Sequence, residues 1–291
     1  MIGPMPESSK PPVMARGRSA SGWWPSPPRA PPVVIDRASI ITRRAPRLAS
    51  ARASFTYPCP SLVDMTAAFL PVVLLHGCGG SAPSTFGDTG WIAQLAREGR
   101  TVVPVTLPGH AVGASRDPAS YADLAGATLD LLPRRFDAVG FSLGGKLLLE
   151  IAVRAPERVG RLVIGGVGDN VFAPERSGEA AAEALEHGLP VDAPPAVAGF
   201  HRYCVESGAN RPAVAAVLRR PSNPVLPSER LAAISTSILI VIGDADPVAM
   251  PADALVATLT HAQVRILPGV DHFHLPADPD FLRHALHFLA G

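Results

Sequence analysis

The chain has 291 residues, 47% of them hydrophobic, with 26 Lys and Arg against 25 Asp and Glu; this is enough apolar material for one large core, and no net field draws the protein to nucleic acid or an anionic surface. Three scattered cysteines, Cys59, Cys78 and Cys204, match neither a disulfide framework nor a zinc site, so a reducing, cytoplasmic compartment is expected. The longest apolar runs, 67–75 and 237–243, fall far short of the ~20 residues a membrane helix needs, and the expected partner is a small neutral molecule.

In chain order, residues 1–64 come first and hold 12 of the 32 prolines, with nine basic residues against three acidic. Such a segment struggles to bury a core of its own, so a disordered basic extension is predicted. No apolar block follows its basic start and the prolines oppose an amphipathic helix, which argues against a targeting peptide. Met65, just before the first strong strand, is a candidate start of translation; peptides from 1–64 in the native protein would refute that.

From residue 71 onward, apolar β-branched runs alternate with helical patterns, as in a mostly parallel sheet flanked by helices, an α/β architecture. Strands are predicted at 71–75, 101–106, 136–140, 161–164, 238–242 and 263–267, and helices at 90–97, 121–131, 144–155, 251–259 and 279–289. The last helix opens with Asp278 as a cap and Pro279 in its first turn. Between 168 and 231 the alternation lapses into Ala-, Pro- and Glu-rich sequence with helical pieces at 179–186 and 213–219. An interval this long is read as a small helical cap inserted over the carboxyl edge of the sheet, dividing the core into 65–167 and 232–291.

The segment Val139-Gly140-Phe141-Ser142-Leu143-Gly144-Gly145 turns a strand into a helix through Gly-x-Ser-x-Gly. So sharp a turn strains its central residue and leaves no space for side chains beside it, which gives Gly140 and Gly144 a steric reason. Ser142 then projects its hydroxyl above the sheet as a candidate nucleophile, and the Leu143 amide at the helix start can donate to an oxyanion. A second donor is expected from the turn His76-Gly77-Cys78-Gly79-Gly80 after the first strand: the amide of Cys78, with Gly79 as the alternative.

Two later strands end in ionisable groups, Gly243-Asp244-Ala245-Asp246 and Gly269-Val270-Asp271-His272-Phe273-His274. An imidazole can take the serine proton near neutral pH, and a carboxylate on its other nitrogen fixes the tautomer. Asp244 and Asp246, and His272 and His274, compete for these roles.

The chain order Ser, Asp, His after such an elbow resembles the α/β-hydrolase family over residues 71–291. The family's Gly-x-x-Asp and Gly-x-x-His turns select Asp246 and His272, and Pro156-Glu157-Arg158-Val159 resembles its usual helix-to-strand connection. Two features depart from the family. Its strand hairpin ahead of the His-Gly strand has no clear counterpart unless 33–42 supplies fragments, and its second turn reads here as Pro108-Gly109-His110-Ala111-Val112-Gly113. The resemblance implies a serine hydrolase acting on an ester-like bond. A serine at the elbow argues against the epoxide hydrolase and haloalkane dehalogenase branches, while esterase, lactonase, thioesterase and carbon-carbon bond hydrolase stay open. A cofactor-free haloperoxidase or perhydrolase would use the same triad, and a non-catalytic ligand-binding module is a further alternative.

His76 and His110 read as structural groups that hold loops. His187, His201, His261, His284 and His287 show no metal-ligand spacing and read as surface or packing residues, so no metal is expected. Gly165-Gly166-Val167-Gly168 lacks a full dinucleotide fingerprint and no phosphate loop occurs, so no cofactor is expected. Within the insertion and its approach, Phe172, Phe200, Tyr203, Leu218 and Val225 are candidates to line an apolar substrate pocket.

Overall fold

The strand runs at 72–75, 136–141 and 238–243 are buried on both faces, the condition under which a parallel sheet is stable between layers of helices. The computed structural model describes residues 69–172, 178–221 and 226–291. Among these, β1 (Val72–Leu75), β2 (Val102–Val105), β3 (Phe136–Phe141), β4 (Val159–Gly165), β5 (Ser237–Gly243) and β6 (Gln263–Leu267) form one sheet in the order β2-β1-β3-β4-β5-β6. Every neighbouring pair is parallel. The described helices are α1 (Trp91–Arg97), α2 (Leu124–Leu129), α3 (Leu143–Arg154), α4 (Gly178–His187), α5 (Pro195–Glu206), α6 (Arg211–Leu218), α7 (Ser228–Ala232), α8 (Asp253–Thr258) and α9 (Pro279–Ala290).

Side chains alternate across the sheet with period two, and β1 shows both faces. Val73 and Leu75 join a core with Leu147, Leu148 and Ile151 of α3 and Leu255 of α8. Val72 and Leu74 face the other way, toward Trp91 and Leu95 of α1 and Phe281, Ala285 and Phe288 of α9. Helix α9 begins where expected: the Asp278 carboxylate accepts the amides of Asp280 and Phe281, satisfying donors the first turn leaves open.

Two predicted helices differ in detail, and two described ones, α5 and α7, fall where no helix was expected. Helix α2 covers only the middle of 121–131, because Asp123 caps it at Leu124 by accepting the Gly126 amide, and Pro118–Tyr121 forms a separate tight turn. Helix α8 starts at Asp253, two residues later than predicted. Helix α5 was not predicted; its Pro194-Pro195 opening reads as loop, yet proline is well suited to a helix's first turn. Residues 33–42, the candidate hairpin fragments, and Met65 lie outside the described residues. No described helix is long and apolar enough to cross a membrane.

The amino edge of the sheet is fastened by a buried ion pair. Arg100 bonds to Asp137 and donates to the carbonyls of Leu289 (2.8 Å) and Leu70 (2.9 Å), while the Asp137 Oδ1 accepts the Arg161 amide (2.8 Å). At the opposite edge, register aligns the strand ends, with Leu75 beside Gly140 and Phe141 beside Gly165. Connections from β1 and β3 leave in opposite directions, and the crevice at such a switch point is where open α/β sheets bind ligands.

Candidate active site

Ser142 stands between β3 and α3 with φ 51° and ψ −114°, and among the described non-glycine residues it alone has a positive φ. A Cβ on Gly140 would lie 2.7 Å from the Gly144 backbone, and one on Gly144 would overlap the Leu75 carbonyl oxygen. Those two glycines let the helix start directly against β1. The Ser142 amide donates to the Gly165 carbonyl at 2.8 Å, and its own carbonyl accepts the Lys146 amide at 3.0 Å, so the strained residue is held from both sides.

His272 follows β6, and its Nε2 lies 3.0 Å from Ser142 Oγ. Its Nδ1 lies 2.7 Å from Asp246 Oδ2. An ionised carboxylate only accepts, so Nδ1 carries the ring proton and Nε2 is left to accept from the serine hydroxyl. Asp246 Oδ1 accepts the amides of Val248 (2.8 Å) and Ala249 (2.9 Å), which supply the hydrogen bonds this fully buried side chain requires. The competing residues are engaged elsewhere. Asp244 Oδ1 accepts the Gly269 amide at 2.6 Å, and His274 pairs with Asp271 at 2.8 Å on the surface.

Leu143 is the first residue of α3, beside Ser142. In the turn after β1, the Gly79 amide, the alternative donor, is engaged by His110 Nε2 at 2.9 Å. His76 Nε2 accepts the Leu107 amide at 3.1 Å, so its Nδ1 bears the proton and donates to the Gly77 carbonyl at 2.8 Å. By the same reasoning His110 Nδ1 donates to Pro108 O at 3.2 Å. The two rings meet edge to face, 4.9 Å between centroids. Burial pushes the pKa of His76 down to about 3, with the neighbouring His110 adding to the effect, and burial pushes His110 down to about 4. Both are neutral loop-holding groups.

Helices α4–α7 lie between β4 and β5 in the chain, and α5 packs on the turn after β1. A Cβ on Gly79 would collide with Cys204 Sγ and come within 3.4 Å of the Phe200 ring, and one on Gly80 would collide with the Tyr203 hydroxyl. Tyr203 stacks at 5.2 Å on Phe273, which itself stands edge-on to His272 at 5.6 Å. Burial raises the pKa of Tyr203 and of the Cys204 thiol to about 12, keeping both neutral. Phe200 and Tyr203 are thus brought to the triad's surroundings. Phe172 instead packs half-buried against the main core, Leu218 against the α4–α6 cluster, and Val225 lies outside the described residues. Phe273 and Ser207 were missed. Adjacency to His272 could have flagged Phe273; nothing in the sequence marks Ser207.

His187 has more acidic company than its spacing suggested. Its side chain and those of Glu183 and Glu186 could converge on one point, but all three are exposed, and Arg219 binds Glu179, Glu183 and Glu186.

Residues 72–285 match the model of the alpha/beta hydrolase family, and the chain belongs to that family. It is 47% identical over 95 residues to the pimeloyl-[acyl-carrier protein] methyl ester esterase of Nitrosomonas europaea, a match covering 32% of this chain and 35% of the relative. To the 2-hydroxymuconate semialdehyde hydrolase of Pseudomonas sp. strain CF600 it is 35% identical over 117 residues, covering 36% and 39%. The chain therefore matches well under half the length of these curated relatives. Among solved structures, the enol-lactonase of Burkholderia xenovorans LB400 superposes with a TM-score of 0.62 at 20% identity, over 78% of this chain and 94% of that one.

Proposed function

We propose that this protein is a serine hydrolase that cleaves an ester-like bond in a small, largely apolar substrate through an acyl-enzyme. The observation that carries the reading is the continuous relay from Asp246 through His272 to Ser142, at 2.7 and 3.0 Å, ending on a strained and presented hydroxyl. Ser142 Oγ bonds to the acyl carbon as its proton passes to His272 Nε2, and the carbonyl oxygen becomes an oxyanion facing the amides of Leu143 and Cys78. The tetrahedral species collapses, the alcohol leaves with the proton from His272, and water repeats the sequence to release the acid and regenerate Ser142. The aromatic side chains of Phe200, Tyr203 and Phe273 offer the apolar surroundings. The esterase named for the Nitrosomonas relative supports the ester-like bond.

The test is labelling of the folded protein with a fluorophosphonate probe, followed by turnover of nitrophenyl esters of increasing acyl length. Wild type is expected to label and to turn over, and Ser142→Ala to do neither while keeping its circular dichroism. Equal hydrolysis by parent and Ser142→Ala would end the proposal.

A further inference from the structure

The turn after β1 contains Gly77, Gly79 and Gly80 within four residues, and Gly79 sits at φ 73°. A chain so rich in glycine has little intrinsic preference for one shape, so a donor carried on it must be held by something else. Three sets of hydrogen bonds hold its successive peptide planes. The Gly77 carbonyl accepts from His76 Nδ1 at 2.8 Å and from the Gly80 amide at 3.1 Å. A trans peptide points its N–H opposite to its carbonyl, so these bonds set the direction of the Cys78 amide. The next plane is held through the Gly79 amide by His110 Nε2 at 2.9 Å. The third is held through the Gly79 carbonyl by Ser207 Oγ at 2.6 Å.

Two of these holders belong to the core, and the third comes from the insertion. Ser207 ends α5, the helix whose Cys204, Phe200 and Tyr203 already press on Gly79 and Gly80. Its hydroxyl lies 3.2 Å from the Cys204 carbonyl, but the shorter contact is to Gly79. Three residues on, Asn210 Nδ2 donates to the Ala111 carbonyl at 3.1 Å, beside His110, so the end of α5 is tied to both loops that shape the turn.

We propose that Ser207 and His110 are positioning residues of the oxyanion turn: by holding the carbonyl and amide of Gly79 they fix the Cys78 donor, and Ser207 makes that fixing depend on α5 being docked. The inference rests on the acyl-transfer reading. The substrate-binding aromatics and the hydroxyl that steadies the turn share one helix, so α5 docked over a substrate completes the donor set at the moment of reaction.

Ser207→Ala removes the hydroxyl with little change in volume, Ser207→Thr keeps one, and His110→Gln keeps an acceptor for the Gly79 amide. Each is measured on a short nitrophenyl ester for kcat and KM, and with two inhibitors: a trifluoromethyl ketone that forms a tetrahedral adduct, and the matching methyl carbinol, which does not. For Ser207→Ala, kcat is expected to fall roughly tenfold to a hundredfold with KM within about twofold, since loss of a whole donor costs about a hundredfold or more. Affinity for the trifluoromethyl ketone should fall by the same factor while the carbinol binds as before. Ser207→Thr and His110→Gln should recover most of the loss that alanine causes at each site. An unchanged kcat overturns the proposal, as does a loss shared equally by kcat, KM and carbinol binding, which marks general loosening of the insertion. Failure of wild type to label with fluorophosphonate would instead defeat the acyl-transfer reading itself.

Discussion

Acid should weaken this fold well before its carboxylates titrate. His76 is buried and His110 half-buried, and both are neutral, with pKa values pushed from 6.5 to about 3 and about 4, chiefly by desolvation. An unfolded chain binds protons at both rings below pH 6.5 while the folded chain refuses them, so stability falls as pH falls from 6.5 toward the folded values. One pKa unit corresponds to about 1.4 kcal/mol, and pH 5 lies about 1.5 units below the unfolded value. Each histidine therefore costs about 2 kcal/mol at pH 5 relative to neutrality, and the pair about 4 kcal/mol. The figure requires only that both folded values lie below 5. Guanidinium denaturation followed by tryptophan fluorescence at pH 7 and pH 5 measures it. His110→Gln, which does not titrate, should shrink the difference by about half whatever it does to stability at pH 7. A wild-type difference below about 1 kcal/mol, or one that His110→Gln leaves intact, would refute the reasoning.

At the elbow, Gly144→Ala pushes a methyl into the Leu75 carbonyl, which cannot yield without moving β1 from α3; a loss of about 1–3 kcal/mol or more is expected in denaturation, with fluorophosphonate labelling abolished. Asp246→Asn should leave the fold in place but cut kcat by roughly a thousandfold or more, because Nδ1 loses the carboxylate that holds its proton. At the far edge, Asp137→Ala strands the Arg100 guanidinium, whose side chain is 4% exposed; a cost of about 3–5 kcal/mol is expected, and Arg100→Met in the same chain should recover part of it.

How much was legible depended on the range of the interaction that decides each feature. The central strands β1 and β5 were readable because burial on both faces demands continuous apolar runs, and the span of the edge strand β6, 263–267, matched as well although most of it is exposed. The start of α2 was set by a single side chain, Asp123, whose capping bond overrides an apolar pattern running on from Tyr121. Helix α5 was hidden behind two prolines, although Val197 and Cys204, seven residues apart, form its buried face.

The site divides in the same way. Ser142, Asp246 and His272 each follow a strand, and parallel register carries every strand end to one rim, so recognising the strands was enough to bring three distant residues together. Choosing Asp246 over Asp244 needed more: in the structure it turns on which carboxylate meets the amides of Val248 and Ala249 and which meets Gly269. The contact between Ser207 and Gly79 lies at the other extreme. It joins residues 128 positions apart through one hydroxyl and one carbonyl, and although the glycine-rich turn marks Gly79, no periodicity, turn chemistry or motif marks Ser207. Sequence patterning reports what a residue does within its own element, whereas this bond exists only because α5 docks where it does. That is also why the insertion, whose α5 supplies this contact, is the part of the chain least readable in advance.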